Sequence, residues 1–281
     1  MITLASDFGS PYPAAMKGVI LQRTDARLVD VAHDFPRQDV RSAAFWLREV
    51  LPYFPPATHL VVVDPGVGTD RNALVLRAGD HVLVGPDNGV LLPAARQLAD
   101  DFDLERYVVD ETRVESPAPT GSVPPGEPTT SSDPDGPASN TFHGRDVFAP
   151  AAAEAHEVGP DGLETLEFLE PATEYVSFEF PEPTLSTDRA VGEVLVVDDF
   201  GNAITNVPGS FLADRERITV DGQQVPVGDT FASVPVGDRL ATVGSHGYVE
   251  LDVNRGRGDE AFGLEPGDQV GLEPADENGD T

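Results

Sequence analysis

Apolar residues along the first half of the chain arrive in short runs separated by helical stripes. ITLASD at 2–7 is an apolar run ending on a carboxylate, the pattern of a buried strand. YPAAMKGVILQR at 12–23 carries Met16, Val19, Ile20 and Arg23 at helical spacing, and LVDV at 28–31 predicts a short strand. From 39, DVRSAAFWLREVLPYF sets Val40, Ala43, Ala44, Leu47, Val50 and Leu51 on one stripe, with Asp39 placed to cap its start. Strands are predicted at 60–64, 73–77 and 81–85, an ordinary type I turn at PDNG (86–89), and helices around 90–100 and near 145–157. Strands alternating with helices imply an α/β domain with a mainly parallel sheet.

Two stretches break the pattern. Residues 115–140 (ESPAPTGSVPPGEPTTSSDPDGPASN) are nearly free of apolar side chains and predict a disordered surface insertion. Residues 171–190, rich in Pro and Glu, read as a linker. From 191 the grammar changes: VGEVLVV, NAITNV, RITV, LATV and YVELDV are short β segments between Gly, Asp and Pro turns, the signature of a smaller all-β barrel or sandwich. The expected domains are 1–185 (α/β) and 190–274 (all-β, barrel or sandwich), with a flexible tail at 275–281.

Charge changes the picture of the surface. Among 281 residues, 49 acids face 18 bases, for a formal net charge of −31, and Lys17 is the only lysine. With 40% hydrophobic residues in periodic segments, this is a folded acidic protein rather than a disordered one, and the balance suits a halophilic setting where salt screens self-repulsion. No basic stripe exists to meet phosphates, so nucleic acid is not an expected partner. With no cysteine there is no disulfide frame or thiolate metal site. Neither a signal peptide nor a membrane span is expected, which points to a cytoplasmic protein.

Candidate chemistry sits where strands end. VVVDPGVGTDR (61–71) ends an apolar run on Asp64, with Arg71 placed to reach back to it; the pair is either functional or a structural ion pair at a loop base. SDFG (6–9) puts Asp7 at a strand end, able to accept from a ribose diol or to cap a turn. TFHGRD (141–146) sets His143 beside a glycine, just before a helix that Asp146 helps to start. DDFGNAITN (198–206) offers Phe200 for stacking and Asn202 for an adenine edge, or is simply a β-turn. The remaining histidines, His33, His59, His81, His156 and His246, make no metal-binding spacing, so no metal is expected. Neither GxGxxG nor GxxxxGK[ST] occurs.

Taken in order, SDFG, MKG, HDFP-QDVRSAA, YFPPAT-HLVVVDPGVGTDR, VGPDNG, TFHGRD-FAP, DDFGNAITN and GSHGYVELDVN resemble the S-adenosyl-L-methionine hydrolases, also called hydroxide adenosyltransferases, relatives of the fluorinases and chlorinases. The resemblance implies an N-terminal α/β domain, a smaller C-terminal β-barrel, and a homotrimer whose sites lie between the N-terminal domain of one subunit and the C-terminal domain of a neighbour. It implies a catalytic set at Asp64, Arg71 and His143 and a ribose-binding acid at Asp7. Methionine-end contacts fall near Tyr12, Asp198 and Ser245, and adenine contacts on Phe200, Asn202, Asn254 and Phe231.

The chain departs from the family in a shorter loop between Asp7 and Lys17 and in the long segment before His143. Fluorinases carry tyrosine in place of Asp64 and serine in place of Gly144. A carboxylate facing the attack site would repel halide and welcome water. The expected reaction is hydrolysis of S-adenosyl-L-methionine to adenosine and L-methionine, with the substrate itself as the partner and no cofactor. The alternatives are a chlorinase, or a non-catalytic sensor of S-adenosylmethionine or adenosine.

Overall fold

The computed structural model describes residues 1–115 and 141–275. They fall into two compact units, Met1–Glu179 and Phe180–Thr281. Beyond Glu115, the expected 115–140 insertion lies outside the described residues, as does the expected tail beyond Ala275.

The first unit is built on a seven-stranded sheet. Its strands are β1 (Ile2–Ser6), β2 (Leu28–Ala32), β3 (Thr58–Val62), β4 (Ala73–Ala78), β5 (His81–Pro86), β6 (Leu104–Val109) and β7 (Leu169–Pro171), in the order β2-β1-β3-β5-β4-β6-β7. Every residue of β1 and of β3 is buried, the polar Thr3, Ser6, Thr58 and His59 included. The helices are α1 (Tyr12–Leu21), α2 (Val40–Val50), α3 (Leu92–Leu98) and α4 (Ala149–Val158). Asp39 caps α2 as expected, its carboxylate accepting from Ser42 N at 2.9 Å. Met16, Val19 and Ile20 of α1 and five alanines of α4 pack on Ile2, Leu4, Leu60, Val82 and Val84 in one core. The small alanine side chains let α4 lie close to the strands.

The sheet is mixed rather than mainly parallel. β2, β1, β3 and β5 pair in parallel, but β4 pairs antiparallel with both β5 and β6, and β6 with β7. The cause is local. Only Gly79 and Asp80 separate β4 from β5, and Gly79 takes φ 58. So short a link can form a hairpin, whereas a parallel crossover needs about a dozen residues or more. The reversal brings the start of β4 to the same sheet edge as the ends of β1, β3, β5 and β6. A second difference concerns the helix expected near 145–157, which opens with a π-helical turn at Gly144–Phe148 before α4. Asp146 lies fully buried in the first turn of that segment, held by Arg145 at 2.6 and 2.8 Å.

The second unit is an all-β sheet that nearly closes into a barrel. It contains β8 (Thr184–Leu185), β9 (Ala190–Val197), β10 (Ala203–Pro208), β11 (Arg217–Val220), β12 (Gln223–Pro226), β13 (Arg239–Val243), β14 (Tyr248–Val253) and β15 (Gln269–Pro274), with a short helix, α5 (Gly258–Phe262). The path runs β12-β11-β15-β9-β10-β14-β13, and a bridge between Val227 and Ala241 joins its two ends. Val249 and Leu251 of β14 point into the core with Val194, Ala203 and Leu272. Alternation sends Glu250 and Asp252 to the opposite face, and both are buried there.

Neither carboxylate oxygen of Asp252 has a hydrogen-bond partner among the described residues. Burial, then the nearby Glu250 and Asp198, push Asp252 up to about 8; burial, then Asp198, push Glu250 up to about 7. A carboxyl whose folded pKa is raised binds more protons folded than unfolded. Its stabilising contribution is present at low pH and is lost as pH climbs from the ordinary carboxylate range through those values, at up to about 1.4 kcal/mol per pH unit for one group. Asp252→Asn, neutral at every pH, should melt with the parent near pH 4 and several degrees above it at pH 8. Parallel melting curves for the two proteins across that range would show that Asp252 is not a buried proton-holding acid.

Candidate active site

Asp64 lies just beyond β3, and Arg71 just before β4. Because β4 runs back toward that edge, the two meet although β3 and β4 are not neighbours in the sheet. Arg71 Nε donates to both oxygens of Asp64 at 3.1 Å, and Nη2 donates to Oδ2 at 2.5 Å. The Asp64 side chain is 5% exposed and that of Arg71 10%. The Asp64 loop is held from within by Gly66 N, which donates to Oδ1 at 3.1 Å. Glu111, beyond β6, adds a longer contact to Arg71 Nη1 at 3.5 Å, and the guanidinium lies 4.9 Å from the centre of the Phe148 ring.

His143 arrives from the start of the π-helical turn. Its Nδ1 is 2.9 Å from Arg71 Nη2. A guanidinium can only donate, so Nδ1 must accept, and the ring of His143 carries its proton on Nε2. The geometry thus fixes the tautomer. Gly144 fits a tight space beside it: a Cβ there would sit 2.9 Å from Met16 Sδ, 3.2 Å from Phe142 and 3.3 Å from Val62.

A cleft of about 720 Å³ opens above this set, lined by Asp7, Phe8, Tyr12, Asp64, Phe142, His143, Arg37 and Gln38, among others. Asp7 follows β1, and its Oδ2 accepts from Gln38 N at 2.6 Å. Tyr12, 54% exposed, stands edge-on to Phe8 and Phe142 with ring centres 6.1 and 5.5 Å away. The first unit therefore gathers Asp7, Tyr12, Asp64 and His143 at one cleft, with Arg71 behind them.

The other candidates lie on the second unit. Asp198 closes the 198–202 turn: its Oδ1 accepts from Phe200 N and Asn202 N at 3.0 and 2.9 Å, and its Oδ2 from Asn202 Nδ2 at 3.0 Å. Phe200 is left at the tip, 79% exposed. Asn254 Nδ2 donates to Val234 O at 2.7 Å, which ties the end of β14 to the short helix carrying the half-exposed Phe231. Ser245 sits in the β13–β14 turn. A groove of about 800 Å³ elsewhere on this unit, beside Asp214, Arg215 and Glu216, is lined by none of these candidates.

Several supporting residues escaped sequence reasoning. The PDNG turn does more than reverse the chain: Asn88 Nδ2 donates to Val63 O at 2.9 Å, next to Asp64, and Asp87 accepts from Val176 N at 2.8 Å. Gln38 holds Asp7 from a backbone with φ 61, and nothing in its sequence context signals this. Among the described residues no group of three histidines and acids could hold a metal ion, and no helix is long and apolar enough to cross a membrane.

An α/β unit with a carboxylate–guanidinium–imidazole set at the strand-end edge of its sheet, followed by a near-closed β-barrel, defines a two-domain small-molecule enzyme class. The chain belongs to the SAM hydroxide adenosyltransferase family: the family's N-terminal domain matches residues 2–164 and its C-terminal domain residues 192–271. It is 42% identical over 281 residues to the (R)-S-adenosyl-L-methionine hydrolase of Thermus thermophilus, covering 95% of this chain and 97% of that one. It is 38% identical over 273 residues to the (R)-S-adenosyl-L-methionine hydrolase of Salinispora tropica, covering 96% of each. Among solved structures, it resembles an uncharacterized conserved protein from Thermotoga maritima with a TM-score of 0.75 at 30% identity, covering 97% of this chain and 99% of that one. A conserved hypothetical protein from Thermus thermophilus is similar with a TM-score of 0.69 at 35% identity, covering 98% and 99%.

The tautomer can be read directly. In protein labelled with ¹⁵N-histidine at pH 8, His143 should show a protonated Nε2 and a bare Nδ1. Arg71→Lys, a point charge with no fork to serve Asp64 and His143 together, should blur that preference. A protonated Nδ1 in the parent would mean that the Arg71 contact is not a hydrogen bond.

Proposed function

We propose that this chain hydrolyses S-adenosyl-L-methionine to adenosine and L-methionine, and that Asp64, Arg71 and His143 carry the reaction. The observation behind this reading is the shared guanidinium: one group holds the carboxylate by both oxygens and the imidazole by Nδ1, beneath a cleft of small-molecule size.

Water attacks the ribose 5′ carbon in line with the sulfur. The new C5′–O bond forms as the C5′–S bond breaks, and the electron pair of that bond neutralises the sulfonium. The leaving thioether needs no proton, so catalysis reduces to placing the water, excluding its competitors and receiving its proton. With Arg71 occupying Nδ1 of His143, the imidazole has only an N–H to offer, and it donates from Nε2 toward the water oxygen. Asp64 is then the member of the set that orients the water through its hydrogen and accepts the proton, passing it on to solvent. Asp7 takes the ribose diol and Tyr12 borders the methionine end. On the second unit, Asp198 and Ser245 serve methionine, and Phe200, Asn202, Asn254 and Phe231 serve adenine.

Hydrolysis is favoured over halogenation by two features. A buried carboxylate at Asp64 opposes an incoming halide. The serine that fluorinases carry would press on Met16, Phe142 and Val62 at Gly144. A pure binding protein would have no use for a tightly held carboxylate and an oriented imidazole at the cleft floor.

Chromatography of products in chloride-rich buffer tests the reading: adenosine supports it, 5′-chloro-5′-deoxyadenosine makes the protein a chlorinase, and bound but unchanged substrate makes it a sensor. Asp64→Asn should lower turnover by about 10²–10⁴-fold with little change in affinity by calorimetry. Asp7→Ala should weaken binding first. Near-normal turnover in Asp64→Asn would leave Asp64 as a loop anchor only.

The form we propose is a homotrimer acting in a salt-rich cytoplasm, in keeping with the family resemblance and the net charge of −31. Melting temperature should climb from dilute buffer to molar KCl as self-repulsion is screened. A flat series would remove the halophilic assignment, and sedimentation in high salt would test the trimer.

A further inference from the structure

We propose that Lys17, Asp30, His33 and Ser6 form a positioning relay that sets the carboxylate of Asp7, and through it the affinity and sugar selectivity of the cleft. The inference rests on the reading of Asp7 as the ribose-binding acid.

The relay joins parts of three motifs, MKG, HDFP and SDFG, of which the mechanism uses only Asp7. Lys17 Nζ donates to Asp30 Oδ2 at 2.6 Å, His33 Nε2 meets Asp30 Oδ1 at 2.9 Å, and His33 Nδ1 meets Ser6 Oγ at 2.7 Å. With His33 neutral, the proton directions follow from the partners. The ammonium can only donate, so Asp30 accepts. The carboxylate accepts again from Nε2–H, which leaves Nδ1 to accept from the Ser6 hydroxyl. Partial burial pushes Asp30 up, but the bonds from Lys17 and His33 outweigh it and hold the carboxyl below its ordinary range.

His33 grips the chain on both sides of Asp7. Its ring takes the hydroxyl of Ser6, the fully buried last residue of β1, and its carbonyl accepts from Gly9 N at 2.8 Å. The loop that leaves His33 then returns to the same place, where Gln38 N donates to Asp7 Oδ2 at 2.6 Å. Gln38 does so from φ 61, a region that a residue with a Cβ occupies only where its surroundings over-determine it. The relay supplies that constraint by fixing the start of the loop. The choice of Lys17 also points to a specific need. In a chain whose other cationic side chains are all arginine, the sole lysine stands at the head of this relay, where a compact ammonium fits a single carboxylate oxygen.

The test compares S-adenosyl-L-methionine with analogues lacking the 2′ or 3′ hydroxyl. His33→Gln keeps a donor for Asp30 but loses the acceptor for Ser6; Ser6→Ala loses the hydroxyl. Each should raise KM about ten-fold, leave kcat within about three-fold, and shrink the parent's discrimination against the deoxy analogues by about ten-fold, the scale of one hydrogen bond involving a charged group. His33→Asn, whose side-chain oxygen can still accept from Ser6, should recover part of the selectivity. Lys17→Met, at the exposed end of the relay, should move in the same direction with less effect and keeps the comparison open if a buried variant fails to fold. If these variants lose stability or affinity while discriminating between natural and deoxy substrates as the parent does, the relay is structural and the proposal fails. Asp7→Ala separates this from the premise: retained discrimination in Asp7→Ala overturns the ribose assignment, whereas its loss there but not in the relay variants overturns the relay alone.

Discussion

The guanidinium of Arg71 meets both oxygens of Asp64 and the Nδ1 of His143, and the first unit is arranged to permit that contact. Arginine is the side chain able to serve a carboxylate and an imidazole from one rigid plane. Its neighbours keep the plane in place: the Phe148 ring beneath it, Glu111 at its outer nitrogen, and Asn88 bracing the backbone beside Asp64. Burial of the Asp64–Arg71 pair makes the arrangement demanding, because a buried charge that loses its partner is strongly destabilising.

That contact depends on the hairpin at Gly79–Asp80. If β4 ran parallel to β5, its start would lie at the far edge of the sheet and Arg71 would be a strand length from Asp64. Here sequence reasoning, working from an incomplete topology, singled out three residues that the structure brings together. Asp64, Arg71 and His143 were legible because a carboxylate ending an apolar run, an arginine seven residues on and a histidine before a helix are local patterns. The strand direction was not, because two apolar runs separated by AGD read alike as a hairpin or as successive strands until pairing partners are known. Asn88 shows the same boundary. PDNG declares a turn, but its bond to Val63 follows from β5 lying beside β3, which no local window contains.

The second unit was legible as a barrel because its strands alternate, yet alternation also misled. The outward positions of β14 would ordinarily be solvated, so YVELDV gives no warning that Glu250 and Asp252 are covered. Burial of the outer face comes from how α5 and neighbouring strands pack, a tertiary fact. Likewise, Asp198 and Asn202 were singled out as ligand contacts, and in the structure they first satisfy each other within their own turn. Nothing in DDFGNAITN distinguishes a side chain free to meet a ligand from one already engaged.

The solitary lysine has a practical consequence. Lys17 carries the only side-chain amine in the chain, and its side chain is 30% exposed. Amine-directed reagents, whether fluorophores, cross-linkers or activated resins, have one side chain to find, and it is salt-bridged to Asp30. Acylating it would delete a charge rather than decorate a neutral surface. Coupling strategies that are benign for lysine-rich proteins would here find, besides the N-terminal amine, only this one structurally committed point, while carboxylate-directed chemistry would have the broad acidic surface to choose from.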